Sequence, residues 1–347
     1  MIAIDASAFK KMLILCDKLC GTVEPSLRYI SFYHRDGLRM MTSDGCARLE
    51  IFVGVSNPFF GVYNVPIDLL KVFLSDIKGE DVIMDFEEHS VIFRTGNEIM
   101  RIKTKPLEKL PEKVVFERLC SVGKSDFGDA VNFTSSILDE GEFLGIHLEG
   151  NTIITYGSTS DLLAVYFVPT FSKNTFSIRI PYTTARHMYK FLEHCDDFEL
   201  NLGDFFGDLV IKLQYMTLDI CGEMVPREEI EKLKKIINEE SLDRLEARVD
   251  IFSRFIRKAS GITTRGMRME ISRFGDTLRF SARSQGVQYS ADIITKEGKA
   301  FKVSFSPHKM RSALSRMKTK KVYLDITTNY LRISNVSGSK IVFIPLS

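Results

Sequence analysis

Tryptophan is absent, histidine is limited to six residues, and the six cysteines (16, 20, 46, 120, 195 and 221) contain no C-x-x-C pair. The histidines at 34, 89, 147, 187, 194 and 308 are scattered, and none stands at zinc-site spacing with a cysteine. These absences argue against a zinc site and against a disulfide framework; intracellular thiols behave as small buried hydrophobes. Cys16 and Cys20 stand one helical turn apart, where two core thiols commonly sit. No apolar run approaches the roughly 18 residues of a membrane span. Met1 to Lys11 lacks the basic-then-apolar pattern of a secretion signal, so the expected compartment is the cytoplasm. There is no glycine-rich phosphate loop followed by Lys-Ser/Thr, no D-x-D and no H-E-x-x-H. Net charge is nearly absent too: 47 Lys and Arg face 45 Asp and Glu over 347 residues.

What is present is an internal repeat. A short strand runs into an amphipathic helix, and three strand-like stretches follow. The first copy reads Ile2–Ile4, a helix from Ala6 to Cys20, then Tyr29–His34, Leu38–Thr42 and Cys46–Val55. The second begins at Gly61–Val65, turns helical at Pro66, and ends near Val82–Phe86, Ser90–Arg94 and Glu98–Thr104. Four more copies place helices near Lys124, Pro181, Val249 and Pro307. Even copies break from strand to helix at a proline (Pro66, Pro181, Pro307), which suits the first helical turn. Odd copies carry a core-facing phenylalanine (Phe9, Phe127, Phe252). The pattern predicts an α+β fold with six strand–helix–three-strand units, two per domain. The domains fall at residues 1–108, 112–224 and 243–347. Lys105–Pro111, with two prolines and no periodicity, reads as a linker. Residues 225–242 form a second connector, carrying a helical insertion at 227–240 whose Ile230, Leu233, Ile236 and Ile237 recur at helical spacing. That insertion reads as a solvated linker helix packed along one stripe, or as a dedicated partner-binding helix.

The charges are sorted. The six repeat helices together hold 17 Lys and Arg against seven Asp and Glu, a surplus of +10, while the remaining chain (30 against 38) carries −8. Phe9, Met12, Leu13, Cys16 and Leu19 form a core stripe that leaves Lys11 and Lys18 opposite. Leu69, Leu70, Phe73 and Ile77 are expected inward, with Lys71 and Lys78 outward. Arg186 and Lys190 lie off the stripe of Met188, Tyr189 and Leu192. Arg254, Arg257 and Lys258 oppose Phe252, Ile256 and Ala259. In the last helix Met310, Leu314 and Met317 leave Lys309, Arg311, Arg316 and Lys318 exposed. One such face is ordinary solvation; a surplus of +10 pooled over the six helices points to a polyanion. No base-reading device accompanies them, so the expected partner is a nucleic-acid duplex held without sequence preference.

With these features in hand, the chain resembles the bacterial-type DNA sliding clamp, the beta subunit of DNA polymerase III. The most specific stretches are Leu38–Ile51 (LRMMTSDGCARLEI), Leu245–Phe255 (LEARVDIFSRF), Phe301–Leu314 (FKVSFSPHKMRSAL) and the terminal Val342–Leu346. The resemblance implies three domains per chain, helices lining a central hole with sheets outside, and a head-to-tail homodimer around duplex DNA. It implies no cofactor and no catalysis, but partnership with a replicative DNA polymerase and a clamp loader. A hydrophobic peptide pocket would be walled by Phe143, Leu163, Val342, Ile344, Pro345 and Leu346, with Ser306 and Lys309 at its rim. The dimer seam would match Met100 and Ile102 against Ser260-Gly261. Arg28 follows Glu24-Pro25-Ser26-Leu27, where the family often has a basic residue before the turn, and joins the expected DNA contacts. Asp161-Leu162 stands where the family's pocket has His-Arg. These departures suit a divergent member, phage or mobile-element origin included.

Two other readings compete. One is a clamp-fold scaffold that binds protein without encircling DNA. The other is a metal-dependent nuclease, which needs convergent carboxylates; its candidates are Asp44, Asp81, Asp85 and the Asp196-Asp197 pair.

Overall fold

The computed structural model describes residues 1–347 except 23, 78, 173, 193–197, 204–208 and 213–214, and gives the backbone alone at 124, 125, 190, 198, 202 and 203. The first copy is β1 (Ile2–Asp5), α1 (Ala6–Leu19), β2 (Tyr29–His34), β3 (Leu38–Ser43) and β4 (Ala47–Gly54). The second is β5 (Val62–Pro66), α2 (Ile67–Leu74), β6 (Asp81–Glu87), β7 (Ser90–Thr95) and β8 (Glu98–Lys103). The third is β9 (Phe116–Val122), α3 (Lys124–Thr134), β10 (Phe143–Glu149), β11 (Thr152–Ser158) and β12 (Leu163–Pro169). The fourth is β13 (Phe176–Pro181), α4 (Tyr182–Leu192), β14 (Phe198–Gly203), β15 (Leu209–Lys212) and β16 (Met216–Ile220). A two-residue β17 (Glu223–Met224) and the insertion helix α5 (Arg227–Ile237) intervene. The fifth is β18 (Asp243–Arg248), α6 (Val249–Ile262), β19 (Met269–Phe274), β20 (Thr277–Ser284) and β21 (Val287–Ile294). The sixth is β22 (Phe301–Phe305), α7 (Pro307–Arg316), β23 (Lys321–Ile326), β24 (Tyr330–Asn335) and β25 (Lys340–Pro345).

Two helix starts are fixed by a local cap. Asp5 caps α1 by accepting the Ala8 N–H at 2.8 Å, and Ser306 caps α7 with Pro307 at the first helical position. The odd-copy phenylalanines Phe9, Phe127 and Phe252 are all fully buried. One expected stripe differs. The buried face of α2 is Ile67, Leu70 and Leu74, spaced i, i+3 and i+7, so Leu69 falls off it and is 45% exposed.

The sheets are antiparallel and follow one rule. The strand before each helix leaves its own copy and pairs with the sister copy: β1 with β6, β5 with β2, β9 with β14, β13 with β10, β18 with β23 and β22 with β19. This yields six four-stranded halves. Two pairs of halves fuse through their last strands, β4 with β16 and β12 with β25, giving sheets of eight and nine strands. By contacts the chain divides into two compact units, 1–124 with 187–223, and 125–186 with 224–347. The middle expected domain is thus shared between the units, each half following its sheet.

The β4–β16 join carries a surprise. Cys46 and Cys221, 175 residues apart, form a disulfide with a Cα–Cα distance of 5.1 Å. The expectation of no disulfide is therefore overturned. Spacing could not reveal it, because the pairing depends on which distant strands become neighbours. Cys16 and Cys20 are buried thiols, as expected.

Candidate nucleic-acid and partner-binding surfaces

The basic helical faces survive in part. Lys11, Arg186, Arg254, Arg257, Lys258 and Arg311 are exposed, with no carboxylate at ion-pair distance among the described residues. Lys18 is half-buried. Lys78 lies outside the described residues, as does the side chain of Lys190. The others are engaged locally, most of them by carboxylates. Arg28 forks onto Asp68 at 2.8 and 2.9 Å and reaches Asp17 at 3.1 Å, while Lys71 meets Asp17 at 2.6 Å. The hydrogen bond from Arg28 is the main reason the Asp68 carboxyl titrates below its ordinary range. Lys309 meets Asp139 at 2.9 Å and Glu142 at 3.5 Å; Lys318 meets Asp129 at 2.7 Å; Arg316 donates to Asn132 Oδ1 at 2.8 Å. These acids come from residues 129–142, which lie against α7. A helical face read alone does not reveal carboxylates supplied by another element.

The expected pocket residues separate onto two faces of the nine-stranded sheet. Leu163 opposes Phe343 across the β12–β25 join, so both point to one side, and Val342 and Ile344 point to the other. On the first side α5 lays Ile230 and Leu233 onto Tyr156, Leu163, Val165, Ile341 and Phe343. The Tyr156 ring fits because Gly145 beside it has no side chain; a Cβ there would sit 2.0 Å from the ring. Lys234 ties α5 to Glu149 at 2.7 Å, and Glu149 also meets the buried His147 at 3.4 Å. The residues His147-Leu148-Glu149 have H-x-E spacing, and these contacts give them a structural job. On the second side Val342 and Ile344 are fully buried. At the surface remain Phe143 (38% exposed, with the Arg179 guanidinium over its ring), Pro345 and the half-buried Leu346. Ser306 donates its N–H to Asp161 Oδ2 at 2.6 Å, so Asp161 holds the start of α7.

No sequence-family model matches the chain, and no curated protein matches it in sequence. Solved structures do. DNA polymerase III subunit beta from Pseudomonas aeruginosa superposes with a TM-score of 0.84 at 13% identity, covering 100% of this chain and 99% of that one. A putative DNA polymerase III beta subunit from Eubacterium rectale gives a TM-score of 0.85 at 13% identity, covering 99% and 98%. A Pseudomonas aeruginosa sliding clamp bound to griselimycin gives 0.81 at 13%, covering 100% and 98%. The chain has the sliding-clamp fold.

Within the sliding-clamp fold, two last strands stand apart. Among the described residues β8 and β21 are each paired along one edge only, at the ends of the two four-stranded sheets. Met100 and Ile102 lie on β8, whose Ile99 is 68% exposed; Ile294 at the end of β21 is 72% exposed. Ser260 and Gly261 lie instead at the end of α6, where Ser260 is buried and donates to the Arg257 carbonyl at 2.8 Å. Among the described residues, the carboxylates weighed for a nuclease do not form a metal-holding group. Asp44 is fully buried and accepts the N–H groups of Cys46 and Ala47, and Asp81 and Asp85 sit in β6. Asp196-Asp197 lies outside the described residues. Among the described residues no group of three potential metal ligands meets, and no helix is long and apolar enough to cross a membrane.

Proposed function

We propose that the protein is a DNA sliding clamp: a cytoplasmic homodimer, set in place by a clamp loader, that encircles duplex DNA and tethers a replicative polymerase. The observation that carries this reading is the likeness to DNA polymerase III beta subunits over the whole of both chains. The exposed cations Lys11, Arg186, Arg254, Arg257, Lys258 and Arg311 support it, since long side chains over water attract phosphates without reading sequence. A clamp tethers rather than catalyses; it turns polymerase rebinding into an intramolecular event at high effective concentration.

The sheet rule supports the dimer. Every fused join unites the last strand of an odd copy with the last strand of an even copy in the next domain, and β21 and β8 are the odd and even strands left over. Pairing β21 of one protomer with β8 of its partner completes the series. The polymerase peptide is assigned to the β12–β25 join, around Phe143, Leu163, Pro345 and Leu346, beside α5. A scaffold that never encircles DNA is the second reading, favoured by the local neutralisation of Arg28, Lys71, Lys309 and Lys318. The deciding experiment loads the protein onto a nicked circle and then linearises it. A clamp runs off the free ends and is retained when they are blocked. Retention that ignores linearisation and end-blocking defeats the encircling reading.

A further inference from the structure

We propose that Cys46 and Cys221 are a thiol–disulfide exchange site, a covalent clasp on the β4–β16 join that small-molecule thiols open and small-molecule disulfides close. Five residue pairs, from Ile51 opposite Met216 to Ala47 opposite Ile220, hold this join. The cysteines are the next pair along: the Cys221 N–H donates to the Cys46 carbonyl at 2.8 Å, continuing the ladder. Cys46 is aimed by its own turn, in which the buried Asp44 accepts its N–H at 2.8 Å and Gly45 takes a positive φ of 104°. Two half-buried residues thus hold their sulfurs in register at the end of a ladder. Cys16 and Cys20 offer a contrast: burial pushes both thiols up, Cys16 strongly.

The exchange partner is a low-molecular-weight thiol of the glutathione class. Its thiolate attacks one Sγ, the Sγ–Sγ bond breaks, and the electron pair leaves on the other Sγ, which takes a proton. A second thiolate attacks the mixed disulfide and releases the oxidised partner, so one protein disulfide and two thiols become one protein dithiol and one small disulfide. The ladder and the Arg48–Asp219 ion pair, 3.2 Å long, hold the join independently of the sulfurs. The join therefore loosens from the cysteine end rather than unfolding. Since β4–β16 is the strand pair that fuses two four-stranded halves, the redox state sets how readily those halves part there.

The test equilibrates the full chain in reduced and oxidised glutathione at graded ratios, quenches in acid, and maps linked peptides. Hydrogen exchange is read on 47–51 and 216–220 in the same samples. The expected result is a single linked pair, Cys46–Cys221, appearing with one midpoint, and seam amides that exchange at least about tenfold faster when reduced. Cys46→Ser and Cys221→Ser should match the reduced wild type in every buffer. No 46–221 peptide at any ratio, seam exchange indifferent to reduction, or a redox response persisting in Cys46→Ser would each overturn the proposal. None of these readouts depends on DNA or on a polymerase.

Discussion

Lys340 is 4% exposed, with Nζ 2.6 Å from the Arg316 carbonyl, 3.3 Å from Asp129, and facing the rings of Phe133 and Tyr166. Burial pushes its pKa below the usual lysine value, against the pull of Asp129. The folded state therefore binds this proton less tightly than the unfolded chain. Between the lowered value and the ordinary 10.5, the unfolded state holds more protons, so this group adds stability as pH rises. Lys340→Met should remove that gain and should also lower stability near neutrality, because Asp129 and the Arg316 carbonyl lose this partner. The check is the wild-type minus variant unfolding free energy in urea, followed from neutral pH into the alkaline range. Asp44 makes a second prediction. Asp44→Ala orphans the N–H groups of Cys46 and Ala47, one of them fully buried, and should cost about 1–3 kcal/mol by the same measurement. The Ser-Asp-Gly sequence announced a turn. Its burial was not legible, because the neighbours that bury Asp44 come from elsewhere in the chain, Thr22 among them.

Elements were the most readable level. Helix and strand each carry their own period, and starts at Pro307, Val249 and Lys124 needed no knowledge of what lay across from them. What pairs with what was opaque, since β1 finds β6 and β4 finds β16 across long stretches of sequence. The same blindness overcounted the free cations and mixed two faces of β25 in one pocket. Helix α5 was legible as a stripe, and its seat was not. Leu233→Ala should cost about 2–5 kcal/mol of its docking and speed amide exchange across 230–237. If the peptide site lies beneath α5, the same change should tighten binding of a polymerase-derived hydrophobic peptide. For the unpaired edge, Met100→Lys on β8 should weaken dimerisation at least about tenfold in sedimentation while leaving monomer stability unchanged, as edge lysines oppose strand addition. A wild type that is already monomeric at micromolar concentration removes the dimer altogether.

For the whole molecule, the sorted charge makes a quantitative demand. If Arg254, Arg257 and Lys258 touch phosphates, replacing all three with Glu should lower duplex affinity. It should also flatten the slope of log affinity against log salt by roughly 0.9 per lost contact. An unchanged slope would mean that these side chains are merely solvated.

The long reach of the β4–β16 join also matters before the chain is complete. The paired cysteines at that join are separated by 175 residues. At a synthesis rate of about 5–20 residues per second, β4 emerges roughly 10–35 seconds before its partner strand exists. Throughout that interval the nascent protein displays a bare strand edge rich in apolar residues, open to the same edge on a neighbouring ribosome. A folding helper that masks nascent edges should therefore raise the soluble yield more than any stabilisation of the finished fold.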